Sequence, residues 1–140
     1  MTAALGVRLV QQRQTAEARK TGLAAARTAA QTLLSFDYRR LDQDFQAGRA
    51  LTTGQFAADY QRTTEQGVAA TAKQYQVVLA AEVVQAGVAL AERNRVVVIA
   101  FVNQTTQSQL LKQPRVDQNR VRMTMRKVGN TWRVEKLEAL

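Results

Sequence analysis

Three helical stretches followed by four extended ones predict an α+β chain, its helices packed on one face of a curved four-stranded antiparallel sheet. Three observations lead there. Apolar residues recur at helical steps up to Lys73, and valine-rich runs take over after Gln76. Residues 95–106, RVVVIAFVNQTT, are apolar on both sides of an extended chain: Val96, Val98, Ala100 and Val102 on one, Val97, Ile99 and Phe101 on the other. Such a strand is normally central and covered on both faces. Finally, Gly129-Asn130 is a hairpin signal between two alternating segments.

Residues 13–34 form the first helix. They contain no proline, one glycine (Gly22) and many good helix formers. Leu23, Ala26, Ala30 and Leu33 share a face, a narrow alanine-rich stripe suited to close packing on something flat. The first turns are polar all round and project. Ahead of them, residues 3–10 are short and weakly apolar, too short for a signal-peptide core. They suit a plain helix start or the last turns of a membrane helix.

Ser35, Phe36 and Asp37 break the pattern, and Asp37 is a fair N-cap for a short second helix that buries Tyr38, Leu41, Phe45 and Gly48. Thr52 and Gln55 have capping-box spacing, and Leu51 and Phe56 sit where a hydrophobic staple belongs. The third helix therefore spans 53–73, with Phe56, Tyr60, Thr64, Val68 and Thr71 along one side. Residues 75–90 mix signals. Val77, Val78, Val83, Val84 and Val88 decide for a strand, with a bulge or bend at Gly87.

Glu92, Arg93 and Asn94 turn the chain into the central strand, and residues 107–116, with Pro114, form a loop. Residues 120–128 alternate, Val121, Met123 and Met125 against Arg120, Arg122, Thr124 and Arg126. A two-residue turn then sets Val128 opposite Thr131, Met125 opposite Val134 and Arg126 opposite Arg133. The last pair needs a carboxylate or anion between its like charges. The second apolar face of the central strand still needs a cover: a partner sheet, a second copy or a ligand.

The 140 residues make one domain. No cysteine is present, which excludes disulfides, thiolate metal sites and cysteine nucleophiles. No histidine is present either, which removes the commonest general base and metal ligand. The net charge of +9 favours acidic partners, and it is sharpest over 112–140, with eight basic residues against three acidic. No stretch approaches the roughly 20 apolar residues that cross a bilayer.

Four segments carry a family resemblance: LLSFDYRRLDQDF at 33–45, FVNQTT at 101–106, PRVDQNRVRMT at 114–124 and WRVEKLEAL at 132–140. Together they resemble the Mce-associated membrane proteins of actinobacteria, from about residue 25 to the C-terminus. The resemblance implies a nuclear transport factor 2-like (cystatin-like) cone, held outside the cytoplasm at the cell membrane by a single N-terminal membrane helix. It also implies support for the assembly or stability of an Mce (mammalian cell entry) lipid-import system. That membrane helix is absent from this sequence. Residues 1–24 are thus expected to be a helix left from, or leading to, a membrane anchor, and residues 25–140 a single domain.

Each candidate site has a plainer reading. An enzyme in such a cone needs an acid or base beside an oxyanion holder. Asp37 with Tyr38 is the neighbouring pair of that kind, and a helix cap beside a packed tyrosine explains both. Glu82, in a valine-rich run, reads as solvent-facing or ion-paired. The 11 acids do not cluster at ligand spacing, so neither metal nor cofactor is expected. Tyr38, Tyr60, Phe101, Met123, Met125 and Trp132 are candidates to line an apolar pocket for a lipid or sterol tail, or simply form the core.

Arg115, Arg120, Arg122, Arg126 and Arg133 are candidates for a basic surface that meets anionic lipid or an acidic protein face. Nucleic acid is not expected, because no recognition motif or base-stacking platform accompanies the arginines. The leading expectation is a non-enzymatic accessory protein whose sheet contacts protein components of the importer, with a homodimer through the sheet as a further option. The alternatives are an assembly component of a type IV secretion or conjugation channel, and a small-molecule or lipid-binding cone.

Overall fold

Small side chains let the first helix lie flat on the sheet. In the computed structural model, which describes Thr2–Leu140 with side chains from Ala4 onward, α1 runs over Thr2–Leu33. Its first turns stand clear: Leu5, Leu9 and Val10 are exposed, and packing begins at Ala18, ahead of residue 25. Ala18, Ala26, Ala29 and Ala30 are buried against the sheet. At Gly22 the contact is closest, since a Cβ there would lie 2.8 Å from Val96 Cγ2. No helix is long and apolar enough to cross a membrane among the described residues.

After α1 come β1 (Phe36–Asp37), a 3-10 turn (Tyr38–Arg40) and α2 (Leu41–Ala50). Then follow α3 (Gly54–Thr63), a π-helical turn (Thr64–Val68) and α4 (Ala69–Tyr75), in one unbroken right-handed path. The chain ends in β2 (Val78–Glu92), β3 (Arg95–Gln107), β4 (Arg115–Val128) and β5 (Thr131–Ala139). All strands pair antiparallel with their sequence neighbours, in the order β1-β2-β3-β4-β5. The sheet has five strands where four were expected, because Phe36 and Asp37 pair with Leu79 and Val78.

Asp37 caps as expected, its carboxylate accepting from the Arg39 N–H at 3.0 Å, but the turn it starts is 3-10 and α2 begins only at Leu41. The capping box does not form. Thr52 is drawn into a bridge with Val134 on β5, and its hydroxyl donates back to the Arg49 carbonyl at 2.7 Å. Thr53 is the N-cap, without a side-chain bond, and Gly54 takes the positive φ of +66° that sharpens the entry. In the third helix the π turn inserts one residue, so the stripe of half-buried Phe56 and Tyr60 and buried Thr64 passes on to Ala72 and leaves Thr71 exposed. The Thr64 hydroxyl donates to the Tyr60 and Gln61 carbonyls at this point, a side-chain bond that competes with the helix ladder.

The hairpin register matches expectation at Val128↔Thr131, Met125↔Val134 and Arg126↔Arg133. In β2 the irregularities fall at Val84 and Ala89, flanking Gly87, which stays in register with Ile99. A third, at Glu135, bends β5. Pairing of β3 and β4 reaches Thr106↔Arg115, so the connecting loop is shorter than 107–116.

The inner face holds the core: Val96, Val98 and Val102 of β3, Met123 and Met125 of β4, and Trp132 and Val134 of β5, all buried against α1. The helix crosses this face diagonally. Near its C-terminal end Gln31 and the following Ser35 reach the edge of β2, accepting from the Val83 and Ala81 N–H groups at 3.4 and 2.8 Å. Ten residues earlier Thr21 accepts from Trp132 Nε1 on β5, at 2.9 Å.

Candidate functional site

Among the described residues α1 packs on the inner face of the sheet, and no helix of theirs packs on the opposite one. Gly87, Ile99 and Arg122 lie in one row across β2, β3 and β4, and Gln85, Phe101 and Arg120 in the next. Burial falls along β3 from Val97, 8% exposed, to Phe101, 46% exposed. Val84 and Leu90 add apolar surface on β2, at 58% and 41% exposure. A shallow depression of about 450 Å³ opens here, bounded by Val84, Phe101, Asn103, Gln118 and Arg120. Within the described chain the central strand is covered on its inner face, while on its outer face burial fades from Val97 through the half-buried Ile99 to Phe101, the side for which the sequence calls for a cover from a partner sheet, a second copy or a ligand.

Arginines border this apolar strip. Arg120, Arg122, Arg126 and Arg133 share the outer face, whereas Arg115, an odd position on β4, falls on the other side of the pleat beside Asp117 at 3.0 Å. Arg95, Arg126 and Arg133 stand in one row, so three like charges meet. Carboxylates supply the compensation the sequence calls for. Glu135 takes a two-pronged bond from Arg126, at 3.2 Å for each nitrogen, and Glu92 lies 3.4 Å from Arg95.

Arg122 pairs with Glu138 in the same way, at 3.3 and 3.2 Å. Hydrogen bonding to the guanidinium pulls the Glu138 carboxyl below its ordinary range, and the carboxylate raises Arg122 in return. Among the described residues Arg120 and Arg133 have no ion-pair partner. The surface is a half-neutralised basic band beside an apolar strip.

The six candidate pocket residues do not converge. Met123, Met125 and Trp132 are core. Phe101 is on the far side of the sheet. Tyr38 lies under the Arg39 guanidinium, 5.6 Å from its ring centre, and Tyr60 stacks on Phe56 and meets Phe45 edge-on. A separate hollow of about 250 Å³ between α2 and α3 includes Tyr60, Phe45 and Thr64. Burial, with nearby Asp44, pushes the Tyr60 phenol up to about 12.

Asp37 is occupied structurally. Arg39 donates to it from Nε at 2.9 Å and Nη2 at 2.6 Å, and this hydrogen bonding holds the carboxyl far below the usual carboxylate range. Its own N–H donates to Asp44 at 2.8 Å. Glu82 is exposed, opposite Asn103 on the outer face. No group of three acids comes together at metal-binding distance among the described residues.

Three of the four resemblance segments meet at one residue. Gln104, in FVNQTT, donates to the Leu34 carbonyl at 3.1 Å and accepts from Asn119 Nδ2 at 2.6 Å. Leu34 belongs to the first segment and Asn119 to the third. Those sequence words thus encode a joint between α1, β3 and β4. Sequence reasoning missed Arg95 as a member of the basic row, because it heads an apolar run; the uncovered outer face was legible as the second apolar side of residues 95–106, and exposed Val84 and Leu90 extend it on β2.

This geometry defines a fold class: helices backing a five-stranded antiparallel sheet of the nuclear transport factor 2-like kind, a fold shared with VirB8- and IcmL-like domains. Its fold matches the IcmL-like type IV secretion system protein of Legionella pneumophila with a TM-score of 0.72 at 11% identity, covering 87% of this chain and 91% of that one. VirB8 of Agrobacterium tumefaciens gives 0.70 at 10% identity, covering 89% and 92%.

The chain belongs to the Rv1363c/MT1408-like family of uncharacterized proteins, whose pattern matches residues 2–140. It is 35% identical over 119 residues to the uncharacterized protein Rv1362c of Mycobacterium tuberculosis, covering 85% of this chain and 54% of that protein, about half its length. It is 29% identical over 128 residues to the outer membrane protein Rv1973 of the same organism, covering 91% and 79%.

Proposed function

We propose that this chain is a non-enzymatic assembly domain of a multiprotein complex in the cell envelope, docking to protein partners through the outer face of its sheet. The observation that carries this reading is the contrast on β3. The inside of the cone is filled by Met123, Met125 and Trp132, while Phe101 and Ile99 face outward beside a basic band. Apolar area bordered by arginines suits a partner with apolar and acidic side chains. The most acid-like candidate, Asp37, has its oxygens committed to Arg39.

Two further supports concern place and complex. The structural neighbours are named as type IV secretion components, one of them a periplasmic domain, and one relative is named an outer membrane protein. These favour an envelope complex of the secretion-channel kind, with the domain outside the cytoplasm.

A second reading, an accessory role in an Mce-type lipid importer, draws on the four sequence segments that resemble Mce-associated proteins. One experiment tests docking and separates the two. A photo-crosslinking residue replaces Phe101 in the full-length protein in its native host, with position 27 on the exposed side of α1 as control, and adducts are identified by mass spectrometry. Secretion-channel proteins captured at 101 support the first reading, and lipid-importer proteins the second. Capture at 27 alone, or no protein adduct at 101, overturns docking through the sheet.

A further inference from the structure

Charge divides the two ends of the sheet. Gly22 packs on Val96 and Thr21 accepts from Trp132, so the turns of α1 ahead of Ala18 run out past the end that carries the Gly129-Asn130 hairpin. The β2–β3 turn lies at the same end, where the Lys127 N–H donates to the Asn94 carbonyl at 2.9 Å. Residues 8–20, 92–95 and 126–135 make up this end. They hold nine basic residues against three acidic, +6 of the net +9. All other positions together hold eleven basic and eight acidic. Glu92 and Glu135 neutralise Arg95 and Arg126, but Arg93, Lys127 and Arg133 have no ion-pair partner among the described residues. Nor have Arg13, Arg19 and Lys20, all exposed on α1.

Beyond this basic collar α1 carries an apolar tip. Leu5, Val7, Leu9 and Val10 are each more than half exposed. At about 100° per residue they spread around the helix instead of forming one stripe. A protein groove takes one apolar side of a helix, whereas a lipid interface can surround it. We infer that this end of the folded domain seats on an anionic bilayer surface, the apolar tip among the headgroups and Arg93, Lys127 and Arg133 facing the lipid phosphates. Thr21, level with the sheet end, follows Val10 by about 16 Å of helix at about 1.5 Å per residue. Tilting α1 brings the sheet end within the screening length of the phosphates, about 8 Å at physiological salt. Phe101 lies six positions along β3 from Arg95, so the outer-face strip stays open to a protein partner and the two proposals fail separately.

Flotation of the whole chain with lipid vesicles tests this. The chain should partition onto phosphatidylcholine vesicles containing one third phosphatidylglycerol and not onto phosphatidylcholine alone, and added salt should weaken the partitioning. Arg93→Glu with Lys127→Glu should weaken it at least about 30-fold, since each basic residue near an anionic surface contributes about fivefold. Lys73→Glu with Lys112→Glu is the control. Both lysines are exposed at the opposite end, where the Gln109 N–H donates to the Tyr75 carbonyl, and the net charge changes equally. That pair should weaken partitioning by no more than about threefold. Thermal midpoints should stay unchanged in both. If the first pair fails to fold, Arg13→Glu with Arg19→Glu, on the projecting part of α1, takes its place. Equal partitioning onto both vesicles, none onto either, or equal losses from the two pairs each overturns the proposal. So does equally tight binding to soluble polyglutamate, which would point to an acidic protein.

Discussion

One strand, β3, has two faces that look alike in sequence and differ in fate. Val96, Val98, Ala100 and Val102 are all at most 1% exposed, under a helix whose alanines and Gly22 let it approach closely. Val97, Ile99 and Phe101 alternate with them, equally apolar, yet burial fades along the row until Phe101 is nearly half exposed. The inner face is determined within the chain: small residues on α1 meet branched and sulfur-containing residues on the sheet. The outer face has no such complement, because every helix of the described chain that contacts the sheet is committed elsewhere. Apolar alternation identifies a strand and its two sides, but not what covers each side.

Substitutions that respect this contrast should split sharply. The largest effect belongs to Met123→Ala. Met123 is fully buried in the core, so truncation leaves a cavity and should cost about 2–5 kcal/mol in urea unfolding. Next is Gly22→Val, which forces a side chain into Val96 and should lose about 1–3 kcal/mol by overpacking, despite the better helix propensity of valine over glycine. Both act on the inner face, and neither is expected to touch docking except through folding.

A smaller effect should come from pH. Tyr60 is held protonated, chiefly by burial and secondarily by Asp44, with its pKa raised from 10.0 to about 12. A raised folded-state value means that the stabilisation is fully present below the unfolded value of 10.0 and is lost as pH climbs toward about 12. Thermal midpoints measured across that window should fall in the native chain, and the fall should be shallower in Tyr60→Phe. An equal slope in both proteins would remove Tyr60 from the account. Asp37 gives the opposite sign: its lowered pKa contributes stability above the ordinary carboxylate value and loses it only in strong acid.

Much of the fold was legible because the local signals and the tertiary contacts agree. The Gly129-Asn130 turn fixed the β4–β5 register, and the demand for a carboxylate near Arg126 and Arg133 is met by Glu135. The misses share a cause: tertiary partners overrode a local motif. Thr52 has the spacing of a cap, but Val134 claims the residues on either side of it, donating to the Leu51 carbonyl and accepting from the Thr53 N–H. Thr71 continues a helical stripe, until one inserted residue at the π turn hands burial to Ala72. The six pocket candidates were grouped by chemistry alone. Which pleat side each occupies, and whether α1 reaches it, is set by contacts more than 100 positions apart in sequence, such as Trp132 with Thr21. The resemblance segments have a mechanical role as well, since three of them meet at the Gln104 joint.

The smallest change in stability, and the most informative about function, should come from Phe101→Ser. In the isolated chain this side chain is nearly half exposed and no helix lies against it, so its loss should shift unfolding by no more than about 1 kcal/mol. An aromatic residue at the centre of a docking surface behaves differently in a complex, where truncation typically costs about 2 kcal/mol or more of binding. Phe101→Ser should therefore leave the melting curve almost unmoved while reducing partner recovery from membranes by roughly 30-fold, the factor that 2 kcal/mol converts to. Arg120→Glu, one position across on β4, should act in the same direction through charge, and its effect should shrink as salt rises. A Phe101→Ser protein that melts far earlier than the native chain would mean that the outer face is part of the core after all, and the contrast between the two sides of β3 would be lost.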